Sequence, residues 1–178
     1  MQILLHACCG PCSCYSTKKI TADGLQPTLF FYNPNIHPYQ EFLQRRDGLR
    51  QLAQIRNLPL IEEPGYEMEH FLMNVAAEPT KRCEFCYRNR LTKTADKAKE
   101  LGLPLFGTTL LISPYQNRDR IVAIGRELAE DRGLRFYDED LRPGFRESQQ
   151  TAKELGLYRQ KYCGCIYSEK ERYYKDRQ

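Results

Sequence analysis

Short apolar runs alternate with longer stretches of helical periodicity along this chain, and few folds accept that pattern. Apolar segments suited to strands occupy residues 2–7, 28–32, 58–61, 105–112 and 134–137. Helical patterns fall between and after them, at 13–21, 39–56, 68–77, 117–131 and 148–155. A further helix contains or opens at CEFC and runs to residue 101, where Gly102 stops it, as Gly133 does for the helix before it. In 39–56, Phe42, Leu49, Leu52 and Ala53 share one face, and Arg45, Arg46 and Arg50 are expected to stay solvated. Strands separated by helices predict an α/β fold, a parallel sheet with helices on both faces in a nucleotide-binding, Rossmann-like or HUP-like architecture. No repeat or linker divides the chain, so one domain over 1–178 is expected, with a charged tail from about 168 that is helical and solvated.

The loop after the first strand is the expected ligand edge of such a sheet. A phosphate-binding loop would offer several glycines there. HACCGPCS offers one glycine and, instead, sulfur. All eight cysteines of the chain lie in three tight clusters: Cys8, Cys9, Cys12 and Cys14; Cys83 and Cys86; Cys163 and Cys165. A net charge of +4, with 41% hydrophobic and 28% charged residues, describes a water-soluble protein and accommodates a nucleic-acid partner without requiring one. No signal peptide or membrane span is read from the sequence, so the expected location is cytoplasmic. Structural disulfides are rare in that compartment, which turns the cysteines toward metal binding or catalysis.

Three chemistries remain open from the residues. Four thiolates are the usual ligands of a cubane iron–sulfur cluster, and a vicinal pair plus a CxxC from another helix could surround one. CxxC is equally half of a zinc site. Cys9-Gly10-Pro11-Cys12 reads as a thioredoxin-type dithiol between strand and helix. Cys163-Gly164-Cys165 is the better dithiol candidate, because one intervening glycine allows a strained, exchangeable disulfide; the same two residues could instead be metal ligands.

The segments LLHACCGPCS, YNPNIHPYQEF with its RR, CEFCYRNRL, TTLLISPYQN and YCGCIYSEKER cover nearly the whole chain. In this order they resemble the cobalamin-independent epoxyqueuosine reductases of the QueH type. The resemblance implies an iron–sulfur reductase domain that reduces the epoxide of epoxyqueuosine at the tRNA wobble position, the last step of queuosine biosynthesis. It implies a [4Fe-4S] cluster on Cys8, Cys9, Cys83 and Cys86, with a further iron nearby whose ligands no motif assigns. Cys163 and Cys165 match the family's redox-active disulfide pair, while Cys12 and Cys14 receive no role. The implied partners are tRNA bearing epoxyqueuosine in its anticodon loop and an external electron donor, with no membrane.

Opening the epoxide requires a proton donor or Lewis acid, for which Tyr32, His37 and Tyr115 are candidates. His6 is read as a satisfied core histidine and His70 as a surface one. Arg88 and Arg90 either meet a tRNA phosphate or solvate their helix. Gln116 ends a strand on the active edge. Arg142, Phe145 and Arg146 pair cations with an aromatic, as an unstacked base and its phosphates require. Two other functions compete: a zinc-binding RNA-docking module and a thioredoxin-like dithiol oxidoreductase.

Overall fold

A computed structural model describes residues 1–175. Five parallel strands form one sheet in the order β3-β2-β1-β4-β5: β1 Gln2–His6, β2 Gln26–Phe31, β3 Leu60–Glu62, β4 Leu105–Thr108 and β5 Arg135–Phe136. β1 is central, with Leu5 opposite Leu29 on one side and Gly107 on the other. Ile3, Leu4, Leu5 and His6 are fully buried, which explains why β1 reads as a continuous apolar run rather than an alternating one.

α1 (Gly10–Ala22) and α2 (Tyr39–Arg56) pack together on one face, as right-handed crossovers between parallel strands require. The chain then returns past α3 (Met68–Val75) and α4 (Arg82–Glu100), and α4 packs with α5 (Arg118–Arg132) on the opposite face. α6 (Phe145–Glu154) lies outside α1, and α7 (Ile166–Tyr173) closes the described chain. The helical tail expected from about 168 coincides with α7 as far as Tyr173; residues 176–178 lie outside the described residues. Among the described residues no helix is long and apolar enough to cross a membrane.

Several boundaries differ from the sequence expectation, each for a local reason. α1 begins three residues before the expected start. Extended Cys9 caps it, its sulfur accepting the Cys12 N–H at 3.5 Å, and Pro11 fits the first turn because no N–H is needed there. The strand expected over 105–112 stops at Thr108, whose hydroxyl accepts the Leu110 N–H at 3.1 Å and turns 109–112 into a 3-10 segment. α6 starts at Phe145 rather than 148. α2 has the expected bounds and buries Phe42, Leu49, Leu52 and Ala53. Arg45, expected on its solvated face, is instead 1% exposed, because the carbonyls of the YCGC segment lie over it.

α1 meets α2 backbone to backbone at Gly10. A Cβ there would sit 2.7 Å from the Gly48 carbonyl oxygen and 3.2 Å from Leu157 Cδ1. At Gly48 itself a Cβ meets nothing closer than 3.7 Å. Gly10→Ala should therefore destabilise by about 1–3 kcal/mol through overpacking. Gly48→Ala should be neutral or gain up to about 1 kcal/mol of helix propensity. Urea unfolding measures both; equal losses would contradict the close-approach account.

Candidate active site

β1 and β4 are neighbours, and the chain leaves them for opposite faces of the sheet. The cleft between their carboxyl ends is the topological switch point. Cys8 and Cys9 lie at its floor. The Cys8 N–H donates to Thr109 Oγ1 at 3.4 Å, and the Cys8 and Cys9 sulfurs are 3.7 Å apart. The Cys8, Cys9 and Cys12 sulfurs all lie within 4.8 Å of one another, so this triad could hold a metal ion or part of a cluster. The positive end of the α1 dipole favours anionic sulfur there.

Hydrogen bonds from Cys12 and Cys9 hold the Cys8 thiol well below its ordinary pKa. Burial pushes Cys9 up, and the hydrogen bond to Cys8 does the same for Cys12. A nucleophilic thioredoxin-type thiol needs the reverse of what Cys9 experiences. The Gln160 amide donates to Cys9 Sγ at 3.1 Å. Cys14 belongs elsewhere: its sulfur donates to the Gly10 carbonyl at 3.4 Å, among Leu52, Ala152 and Leu157.

A second group of thiols adjoins the first. Cys83 and Cys86, three apart on α4 and so on one helix face, line a small cavity with Cys163 and Cys165. Burial pushes Cys86 up to about 12 and also raises Cys83. The Arg90 guanidinium, 2% exposed, donates to Cys86 Sγ and to the Cys86 carbonyl, both at 3.1 Å. Burial works against its charge, but the surrounding thiols, Cys86 first, outweigh that and raise its pKa.

Arg90, Gln116 and Cys163 also line the main cavity, about 450 Å³, which Cys8 and Cys12 share. Gln116 donates to Cys163 Sγ at 3.1 Å and accepts from the Tyr87 hydroxyl at 2.7 Å. Asn35 Oδ1 and Gln160 Oε1, one beside each thiol group, are buried without a hydrogen-bond partner among the described residues. Orphaned buried acceptors beside the thiols fit a site built around a further bound group. The donor set, all sulfur, suits a soft metal or an iron–sulfur cluster.

The YCGC segment reaches this centre because α2 holds it. Arg45 donates to the carbonyls of Cys163 at 2.7 Å and Tyr162 at 2.9 Å, and to Glu41 at 2.7 Å. The Tyr158 hydroxyl donates to the other Glu41 oxygen. The His37 N–H donates to the Gly164 carbonyl at 2.8 Å. Gly164 has φ 151°, and a Cβ on it would press on Asn35, Ile36 and Arg45 at 3.3–3.4 Å. Cys163 is exposed, whereas Cys165 is buried and caps α7 by accepting the Ser168 N–H at 3.4 Å.

Other expected residues fall variously. Tyr115 lies at the cavity mouth, 85% exposed and edge-on to Phe145 at 6.0 Å. Tyr32 is turned away, donating to Glu67 at 2.8 Å in a separate cavity. His37 is buried with both ring nitrogens engaged, to the Pro34 carbonyl at 3.0 Å and the Ile166 N–H at 3.3 Å. His6 is fully buried, hydrogen-bonded to Thr108, Tyr32 and Asn33, and pushed down to about 4 by burial; His70 is exposed. Arg88 and Arg142 are spent on Glu127 and Asp140. Arg45, Gln160, Gln149, Lys161 and Arg172 were not expected at the site. Lone polar residues on helices and loops carry no spacing signal, and only the fold brings them to the cavity.

A family model described as "Epoxyqueuosine reductase QueH" matches residues 3–171. A protein of that name from Dehalococcoides mccartyi is 41% identical over 174 residues, spanning 98% of this chain and 96% of its own. Another from Thermotoga maritima is 36% identical over 180 residues, spanning 96% and 91%. Among solved structures, the predicted subunit of tRNA methyltransferase from Methanocaldococcus jannaschii superposes with a TM-score of 0.58 at 13% identity. That alignment covers 86% of this chain and 76% of the other, and the likeness concerns the fold alone.

Arg45 is the buried tie between α2 and the cysteine-bearing segment. Arg45→Ala would leave the buried Glu41 without its ion-pair partner and two carbonyls without a donor, a loss of about 3–5 kcal/mol. Hydrogen exchange should rise over residues 158–166 more than over β1. Unchanged protection of that segment would refute the tie.

Proposed function

This chain belongs to the epoxyqueuosine reductase QueH family, and on that premise we propose that it reduces the epoxide of epoxyqueuosine in tRNA to the cyclopentene of queuosine. The proposal treats residues 1–178 as one iron–sulfur reductase domain working in the cytoplasm, where tRNA is modified. The observation that carries it is the main cavity: Cys8 and Cys12 from one thiol group and Cys163 from the other face the same space. A substrate there touches both.

The reaction removes the epoxide oxygen as water and needs two electrons and two protons. A [4Fe-4S] cluster held by Cys8, Cys9, Cys83 and Cys86 would supply electrons one at a time. The Cys163–Cys165 pair stores two electrons, giving up two electrons and two protons as it closes to a disulfide. An external donor must then reduce it again. Exposed Cys163 is the sulfur such a donor can reach. Gln116 fixes the Cys163 sulfur, and Arg45 fixes its backbone.

The walls of the cavity suit one unstacked nucleotide. Tyr115 and Phe145 offer ring faces at the mouth, and Gln149 and Gln160 offer amides that can meet a base edge. Lys161 and Arg172, both exposed on the rim, suit flanking phosphates better than Arg88 and Arg142, whose charges are already engaged. Of the three proton-donor candidates, Tyr115 alone borders the cavity.

Two sets of experiments test this. Cys8→Ala, Cys9→Ala, Cys83→Ala and Cys86→Ala should each lose iron and sulfide; normal content in all four would refute the ligand set. A wild-type protein that binds one zinc and no iron would favour an RNA-docking zinc module built on the Cys8–Cys9–Cys12 triad. Cys163→Ser and Cys165→Ser should keep the iron yet lose multiple turnover. The decisive assay incubates reduced protein with epoxyqueuosine-containing tRNA and seeks a nucleoside lighter by one oxygen. An untouched epoxide, with cluster and electron donor intact, rejects the reductase reading.

The second set concerns tRNA. Lys161→Ala and Arg172→Ala should each weaken binding of the anticodon stem-loop and flatten its dependence on log salt by about one unit, because each neutralised phosphate releases counterions. Salt slopes equal to wild type would remove both residues from the interface.

A further inference from the structure

Two arginines are almost fully buried at the cysteine centre, and they are not alike. Arg45 is balanced by Glu41 at 2.7 Å. Arg90 pairs with no carboxylate among the described residues. Its hydrogen bonds run to the Cys86 sulfur and the Cys86 carbonyl. A buried cation without an opposite charge is strongly destabilising, so a position that keeps one implies an anion beside it. The Cys86 sulfur is the group that Arg90 Nη2 meets, and Cys163 lines both cavities beside it.

Arg90 lies one helical turn after Cys86 on α4, so its side chain can fold back along the helix toward the CxxC. Among the described residues it is the one cation that lines both the main cavity and the small cavity of Cys83, Cys86, Cys163 and Cys165; buried Arg45 and partly buried Arg82, which line one cavity each, hold Glu41 and Glu171.

We propose that Arg90 is the fixed counter-charge of the cysteine centre, hydrogen-bonding the Cys86 sulfur and raising the potential at which the centre accepts an electron. The inference rests on the iron–sulfur reading above. Its physical basis is general: hydrogen bonds to ligand sulfur, and positive charge nearby, stabilise the more negative, reduced state of a cluster more than the oxidised one. Arg90 is thus a positioning and tuning residue, acting on the substrate through the centre.

The test is an EPR-monitored redox titration of reconstituted wild type, Arg90→Met and Arg90→Lys, with iron content and far-UV circular dichroism on each. The midpoint should move to more negative potential in Arg90→Met, with Arg90→Lys between it and wild type. If the methionine chain does not accumulate folded, Arg90→Gln, which keeps a donor for the Cys86 carbonyl, takes its place in the same measurement. Iron lost from the Met or Gln variant but retained by Arg90→Lys would also support a counter-charge. A midpoint unchanged in the Met or Gln variant, with iron and fold intact, overturns the proposal. So does iron lost equally from the charge-keeping Lys variant with its fold intact, which would make the planar fork rather than the charge the requirement. A wild type that takes up no iron overturns the cluster reading itself, and is recognised before any variant is compared.

Discussion

The carboxyl ends of β1 and β4 are stitched side by side by side chains as well as by the ladder. His6 hydrogen-bonds Thr108 at 2.9 Å, and the Cys8 N–H reaches Thr109 one step beyond. From there the chain departs toward opposite faces, into α1 after β1 and through the 3-10 turn to α5 after β4. The cleft that results is a consequence of strand order, present whatever side chains fill it. Its chemistry comes from the loop leaving β1, where sulfur replaces the glycines of an anion-binding turn. Because β1 is buried on both faces, the Cys8–Cys9 pair is anchored to the central, buried strand of the sheet.

The cleft alone holds half of the centre. Cys83 and Cys86 come from the first two turns of α4, and Cys163 and Cys165 from a segment after α6. That late segment has little apolar surface of its own, so polar bonds must fix it. Arg45 and Glu41 supply them, at the expense of burying an ion pair. Such a pair contributes little net stability against a hydrophobic alternative, but losing one partner is costly. What it provides is placement: two main-chain carbonyls of the YCGC segment are held against α2, and Gly164, with φ 151°, lies where a side chain would press on Asn35, Ile36 and the same guanidinium.

This division explains what could be read in the sequence. The alternation of apolar runs and helical periodicity carried the parallel α/β sheet, because buried strands and amphipathic helices are dictated by local pattern; α2 was legible to the residue. Motif spacing carried the cysteines. What stayed hidden was set by tertiary contact. Arg45 sits at a position that local periodicity assigns to solvent, and no pattern in 39–56 announces that residues 162 and 163 will cover it. Arg90 looked interchangeable with Arg88 two residues earlier. A rotation of about 200° around the helix separates them, and it sends one to Glu127 on the surface and the other to Cys86 in the interior. The end of β4 was missed because Thr108 and Thr109 have high strand propensity, and only the hydroxyl cap on Leu110 turns the chain.

The contrast between the two buried arginines bears on how such a centre keeps both rigidity and reactivity. Arg45, matched by Glu41, orders the backbone through two carbonyls, although the Cys9 sulfur also feels its charge. A guanidinium left without a carboxylate imposes its charge on whatever anion shares its cavity, and the sulfurs of Cys86, Cys163 and Cys8 are the available ones. Interchanging the two roles would fail on both sides. A carboxylate beside Arg90 would compete with thiolate for the same donors. Removing Glu41 would release the charge of Arg45 over a segment whose carbonyls need it as a donor and cannot neutralise it. The placement of one acid, four residues before Arg45 on α2 and with no counterpart before Arg90 on α4, therefore separates the scaffold from the chemistry.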